Sequence, residues 1–235
     1  MNLSENLKKW TVENSFDKTA GSIFPPQWPH EILVKIFSSK AYSRLTHDII
    51  PLKKNEKVLE IGCMGGNNIR FFSEKGCVVS GIEVTEDLVS LARSQCNYHA
   101  IKNAKIVQGN NQSIPFDDET FDILISVNTL HYEHGSEKIN TAISNFWRVL
   151  KPGGVAFIET VGPEHFIYQK ATKLDTLSFR SNHEDFRKND LFGFFSNQLE
   201  FKTALQRHFT HVEVITLSEL YENIPLQFFI GIAKK

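Results

Sequence analysis

No run of about 18 apolar residues occurs anywhere in the 235-residue chain, so the sequence offers no membrane-spanning helix. Cysteine is scarce. Cys63, Cys77 and Cys96 form no C-x-x-C pair, which argues against a disulfide framework or a thiolate metal site and for a reducing compartment. Charge of either sign is not in excess: 26 Lys and Arg face 27 Asp and Glu, a formal net charge of -1. Without a basic field to gather a polyanion, nucleic acid is not the expected partner. No internal repeat or low-complexity tract is present, and the opening MNLSENLKKW lacks the apolar core of a signal peptide. A cytoplasmic protein without membrane contact is the expectation. His131 and His134 stand three apart with no supporting cluster of ligands, so no metal is expected either.

What is present is an apolar content of 41%, enough for a sizeable core, and a strong alternation of pattern. Residues 1–56 read as an N-terminal helical segment, with Pro25, Pro26 and Pro29 as punctuation and Ile32, Leu33, Ile36 and Phe37 on one helical face over 30–50. From residue 57 the runs KVLEIG, CVVSGIE, AKIVQG, FDILISV and VAFIET read as strands separated by helical stretches. One helix stops at Gly76, the next is capped by Thr85, and a third stops at the Lys151-Pro152-Gly153-Gly154 run. Strands alternating with helices over 57–160 imply βαβ units and a parallel, doubly wound sheet, an α/β fold. Residues 161–198 break the alternation and read as a lid or insertion. Residues 199–235 read as a final helix and two strands, HVEVITLSEL and PLQFFIGIAKK, antiparallel at the sheet edge. The whole chain is expected to be a single domain.

In such sheets ligands sit beyond the carboxyl ends of the strands. The first of these ends reads Glu60-Ile61-Gly62-Cys63-Met64-Gly65-Gly66-Asn67. A dinucleotide turn, G-x-G-x-x-G from Gly62, would need glycine at 64 and 67, where Met64 and Asn67 stand. Charge discriminates further: a carboxylate at Glu60 repels a pyrophosphate but suits a cationic adenosine compound such as S-adenosylmethionine. At the second end, Glu83 follows Gly62 by about the 20 residues usual for a ribose-hydroxyl acceptor. At the third, Asn110, Asn111 and Gln112 offer amides that match the donor and acceptor edge of adenine; a plain hydrophilic loop is the other reading. The fourth end, Ser126 to Tyr132, stands where the methyl group of such a cofactor should emerge.

Taken in order, VLEIGCMGGNN, GIE, QGNNQSIPF, FDILISVNTLHY and LKPGG resemble the motifs of class I S-adenosylmethionine-dependent methyltransferases over about residues 57–160. The resemblance implies a Rossmann-like, seven-stranded, mostly parallel sheet with a reversed final hairpin. It also implies S-adenosylmethionine as cofactor and S-adenosylhomocysteine as product. It places Glu60, Gly62, Cys63, Met64, Gly66 and Asn67 at the methionine moiety, Glu83 and Val84 at the ribose, Asn110, Asn111 and Gln112 around the adenine, and Asn128 closing over the cofactor. Two departures stand out. Met64 replaces a usual glycine, which reshapes the turn, and Asn110 replaces a frequent Asp. A looser similarity of FPPQWPHEILVKIF and DFRKNDLFGFFSNQLEFKTALQRHF to small methyltransferases of bacterial polysaccharide gene sets favours a small polar metabolite or sugar as acceptor.

An oxygen acceptor needs a base, and His131 is the leading candidate, with Tyr132 orienting the acceptor; a packing role for His131 is equally compatible. His134 and Glu133 read as solvated. Glu159 ends the fifth strand and is a tentative substrate residue. Arg187 is another, as the holder of an anionic acceptor, although a solvated basic loop over a Phe-rich core explains it too. Trp28 and Phe24 border the cofactor or merely anchor their segment. The rival functions are a nicotinamide-dependent oxidoreductase and a non-catalytic cofactor-binding partner subunit. A monomer or a homodimer is expected.

Overall fold

The computed structural model describes residues 9–11, 28–38, 52–185 and 187–235. Most of the N-terminal segment, Phe24 and Phe186 lie outside the described residues. The chain divides into two compact units, residues 1–110 with 121–123 and residues 111–120 with 124–235.

In the first unit, α1 (Glu31–Ser38) buries Leu33, Ile36 and Phe37, the apolar face that its periodicity announces. Strand β1 (Lys57–Ile61) pairs in parallel with β2 (Val78–Glu83), and β2 with β3 (Lys105–Gln108). Between β1 and β2 lies α2 (Asn67–Glu74), which buries Ile69, Phe71 and Phe72. It stops at Gly76, whose φ of 86° is the left-handed conformation a helix exit favours. Helix α3 (Glu86–Tyr98) begins where the Thr85 hydroxyl accepts the Leu88 N–H at 3.4 Å, and it runs a turn and a half beyond the expected end at Ala92.

Strand β4 (Phe121–Val127) begins in the first unit and ends in the second. In the second unit a short 3-10 turn (Leu130–Tyr132) leads to α4 (Gly135–Val149) and β5 (Leu150–Val161). The Pro-Gly-Gly run does stop the helix, but the strand starts on it rather than after it. Gly153 N–H donates to the Lys235 carbonyl and Lys235 N–H to the Gly154 carbonyl, both at 3.0 Å, so the run is already paired. Residues 161–198 form α5 (Phe166–Gln169) and a three-stranded antiparallel sheet, β6 (Ala171–Lys173), β7 (Phe179–Ser181) and β8 (Leu191–Phe192). Helix α6 (Gln198–Gln206) and the strands β9 (His211–Tyr221) and β10 (Ile224–Lys234) complete the chain.

The seven long strands are ordered β3-β2-β1-β4-β5-β10-β9. The mostly parallel sheet with a reversed final hairpin is therefore present. One refinement applies to the hairpin: only β9 is at the edge, while β10 lies between β5 and β9, antiparallel to both. Burial explains the order. Phe229 to Ala233 are all buried on β10, and a Cβ on Gly231 would stand 2.5 Å from Leu205 on α6, so this strand needs cover on both faces. Among the described residues no helix is long and apolar enough to cross a membrane, and no group of His, Cys, Asp and Glu could hold a metal.

Candidate active site

The first unit carries the glycine turn after β1. Gly62 (φ 69°), Met64 (φ 39°) and Gly66 (φ 70°) all take left-handed backbone, so the methionine adopts the conformation the missing glycine would supply. Its peptide N–H then donates to Glu83 Oε1 at 2.6 Å, and Val84 N–H donates to Oε2 at 3.2 Å. Glu83 is thus clamped by backbone at the end of β2, 3% exposed. Burial pushes its carboxyl up to about 7 in spite of those two bonds. Gly81 is required by space: a Cβ there would stand 2.6 Å from Cys63 Sγ. Cys63 itself is buried, with its thiol pushed up by burial and by the nearby Glu83 and Glu60.

Glu60 is 4% exposed. Its Oε1 accepts from Asn68 Nδ2 at 2.7 Å, and its Oε2 is buried with no hydrogen-bond partner among the described residues. Burial raises its carboxyl to about 8; Asn68 opposes the rise and Glu83 adds to it. A buried carboxylate oxygen left open beside a glycine turn fits a cationic ligand group, and it is the strongest local sign of what the turn accommodates. Asn67 spends its amide on the Trp28 carbonyl at 2.7 Å, and Trp28 is 79% exposed. Asn110 is half-buried.

In the second unit the expected adenine amides are engaged internally. Asn111 Nδ2 donates to the Thr129 carbonyl (3.1 Å) and to Glu133 Oε1 (3.2 Å); Gln112 Nε2 donates to Glu133 Oε2 (2.8 Å) and to the Lys138 carbonyl (2.9 Å). The amide nitrogens of both side chains therefore pin the loop rather than project from it. Glu133, expected to be solvated, is 7% exposed and is the anchor of that loop. Its carboxyl is raised by burial. Asn145 completes the arrangement by donating to the carbonyls of Asn111 and Gln112.

Asn128 (φ 54°) closes β4. Its peptide N–H donates to the Glu159 carbonyl at 3.2 Å and its Nδ2 to Glu159 Oε1 at 3.0 Å, while its Oδ1 is buried without a partner among the described residues. Glu159 is wholly buried, and β5 continues past it to Val161. His131 and Tyr132 sit on the 3-10 turn, fixed by Gly193 N–H donating to the His131 carbonyl at 2.9 Å. Gly193 admits no side chain, because a Cβ there would overlap the Glu133 carbonyl oxygen. The His131 ring lies 4.4 Å from Tyr132, 5.9 Å from Phe192 and 6.3 Å from Phe194, and both phenylalanines are core. Burial, His165 and Arg187 together depress His131 to about 3, so it is neutral but weakly basic.

Arg187 reaches this group from the loop after β7. Its Nε donates to Asp185 Oδ2 at 2.9 Å, Nη2 donates to the same oxygen, and its guanidinium hydrogen-bonds to Tyr132. Arg187 is thus half-buried and joined to Tyr132 at the end of β4 rather than separate from it. His165 is depressed to about 4 by burial and then by Arg187, and His183 is lowered by the same two causes in the same order. His165 Nδ1 accepts the Ile167 N–H at 3.1 Å as the cap of α5. Glu133, Asn145, His183, Asp185 and Gly193 were not singled out by sequence reasoning as site residues. The lone glycine among the three phenylalanines of FGFF was the one usable signal.

A methyltransferase domain family matches residues 58–154. Demethylmenaquinone methyltransferase of Lactococcus lactis subsp. lactis is 34% identical over 98 residues, 41% of this chain and 37% of that protein. A probable tRNA methyltransferase 9B of Homo sapiens is 28% identical over 152 residues, 65% of this chain and 29% of that protein. The chain spans about half the length of the curated relatives it matches. Among solved structures, a SAM-dependent methyltransferase of Methanosarcina mazei superposes with a TM-score of 0.63 at 21% identity, covering 80% of this chain and 98% of that one. Domain match, strand order and an acid-flanked glycine turn agree: residues 58–154 are similar to a methyltransferase domain, on the fold of the solved SAM-dependent methyltransferase.

Proposed function

We propose that the chain transfers the methyl group of S-adenosylmethionine to an oxygen of a small polar acceptor that also carries an anionic group, a hydroxylated metabolite or sugar acid. The open, buried oxygen of Glu60 carries the cofactor half of this reading. Glu60 and the turn at 62–66 hold the methionine end, with its ammonium as the cation Glu60 lacks. Glu83, already aligned by the Met64 and Val84 peptide groups, takes the ribose hydroxyls. Bound S-adenosylmethionine supplies an electrophilic sulfonium methyl and leaves as S-adenosylhomocysteine.

For the acceptor, three buried atoms lack partners among the described residues: Asn128 Oδ1, His131 Nδ1 and His183 Nε2. Buried polar atoms of this kind are ordinarily satisfied by a ligand or water, and a ligand offering several O–H groups suits them. Arg187, oriented by Asp185 and Tyr132, supplies the positive charge for a carboxylate or phosphate. Burial is the main cause that depresses His131, and an anion there would offset only the smaller contribution of Arg187. The near-zero net charge supports a small molecule over a polyanion. The test is turnover of methyl-labelled cofactor against a panel of hydroxylated acids, phosphosugars and their uncharged analogues. Label in the charged members, reduced about tenfold at low acceptor concentration in Arg187→Ala, is the expected result. Label only in uncharged members or in RNA overturns the acceptor class.

A further inference from the structure

The Glu60 carboxylate is not held by the glycine turn but by α2, and through α2 by a segment 30 residues upstream. Asn68 is 4% exposed, and both ends of its amide are engaged. Its Oδ1 accepts the His30 peptide N–H at 2.8 Å, and its Nδ2 donates to Glu60 Oε1 at 2.7 Å. A peptide N–H can only donate. It therefore dictates which way the amide points; a flipped amide would set N–H against N–H and carbonyl against carboxylate. The neighbouring Asn67 grips the same segment through the Trp28 carbonyl at 2.7 Å. His30 in turn starts α1: its carbonyl accepts the Val34 N–H at 3.0 Å and its Nδ1 the Leu33 N–H at 3.4 Å.

We infer that Asn68 is a positioning residue: the His30 peptide N–H fixes its amide so that the NH2 group faces Glu60, which couples the segment at 28–30 to the carboxylate that meets the cofactor. The inference rests on the cofactor reading above. With Oε1 held by Asn68, the charge of Glu60 is directed at Oε2, the oxygen left open. Without that donor, Glu60 keeps its proton to higher pH and offers less charge to an ammonium. The other groups that act on Glu60 are few. Glu83 on β2 disfavours its ionisation, the Ile69 peptide N–H favours it, and the Cys63 and Cys96 thiols lie close enough to feel it while remaining neutral.

The test is the affinity of the full chain for S-adenosylhomocysteine between about pH 6.5 and 8.5, for wild type, Asn68→Ala, Asn68→Asp and His30→Pro, with each variant's fold checked by thermal melting. In Asn68→Ala the affinity-against-pH curve should move to higher pH by about one unit, which is about tenfold weaker binding on its rising limb. Asn68→Asp keeps the acceptor for His30 but sets a carboxylate against Glu60, and should bind more weakly still. His30→Pro removes the donor that orients the amide, without touching α2, and should shift the curve the same way by less. Should Asn68→Ala not fold, His30→Pro alone decides. A loss uniform across pH, or no loss in a folded variant, means that Asn68 only packs and overturns the inference. If wild type itself does not bind S-adenosylhomocysteine, the cofactor reading fails first, and that result is separable from the others.

Discussion

The end of β1 in the first unit and the end of β4 in the second bury opposite chemistries. Around β1 and β2 two carboxyls, Glu60 and Glu83, are pushed up to about 8 and about 7. Around β4 and β5 two imidazoles, His131 and His165, are pushed down to about 3 and about 4. Desolvation is the leading cause in every case. What differs is the result at neutral pH: burial leaves the acids poised to ionise when a cation arrives, whereas it keeps the imidazoles neutral, with Arg187 acting in the same direction. Each region is incomplete in the sense its proposed ligand would correct.

The largest expected effect comes from filling the space on which the second region depends. Gly193→Ala should cost about 3 kcal/mol, since the new Cβ meets backbone that cannot swing aside. The melting temperature should then fall by ~6–12 °C. Gly153→Ala, with nothing within 4 Å of its Cβ, suffers only the strain of its φ of 78° and should lose far less. Next, Glu60→Gln, which keeps shape and removes charge, should weaken S-adenosylhomocysteine binding by about 10- to 100-fold without lowering apo stability.

The comparison also fixes the sign of the pH dependence. Glu60 and Glu83 have folded values above the ordinary 4.5, so their contribution is full below about pH 4.5 and is lost as pH rises through 7 and 8. His131 and His165 have folded values below the ordinary 6.5, so theirs is full above about pH 6.5 and is lost as pH falls toward 4 and 3. The two trends oppose each other between, and the apoprotein should melt highest at about pH 4.5–6.5. Glu60→Gln should flatten only the alkaline limb of a melting series and His131→Asn only the acid limb; a single variant that flattens both would break the comparison. The smallest effect is kinetic. Arg187→Ala should raise acceptor KM by about tenfold and change kcat less, as expected for a group that binds the acceptor's charge rather than its reacting atom.

Much of this was legible in the sequence, where local pattern decides the outcome. The alternation over 57–160, the Thr85 cap, the exit at Gly76 and the acid-flanked glycine turn are set by neighbours a few residues apart. What depends on distant partners was not. Glu133 looked solvated because nothing nearby shows that Asn111 and Gln112, some 20 residues earlier, bring their amides to it. The Pro-Gly-Gly run read only as a helix stop because its strand partner is Lys235 at the other end of the chain. Arg187 stood between an acceptor-binding and a solvated reading because its partner Tyr132 lies 55 residues upstream. Asn68 carried no sequence signal, since its orientation depends on a peptide group 38 residues upstream.

The most direct test is a proton count by calorimetry. S-adenosylhomocysteine is titrated into the protein near pH 7.5, in two buffers of different ionisation enthalpy. An ammonium beside Glu60 should expel the proton that burial holds there, so wild type should release a substantial fraction of one proton and Glu60→Gln markedly less. Tight binding with no proton released, or with the same release from the Glu60→Gln variant, would contradict the assignment of that carboxylate to the cofactor.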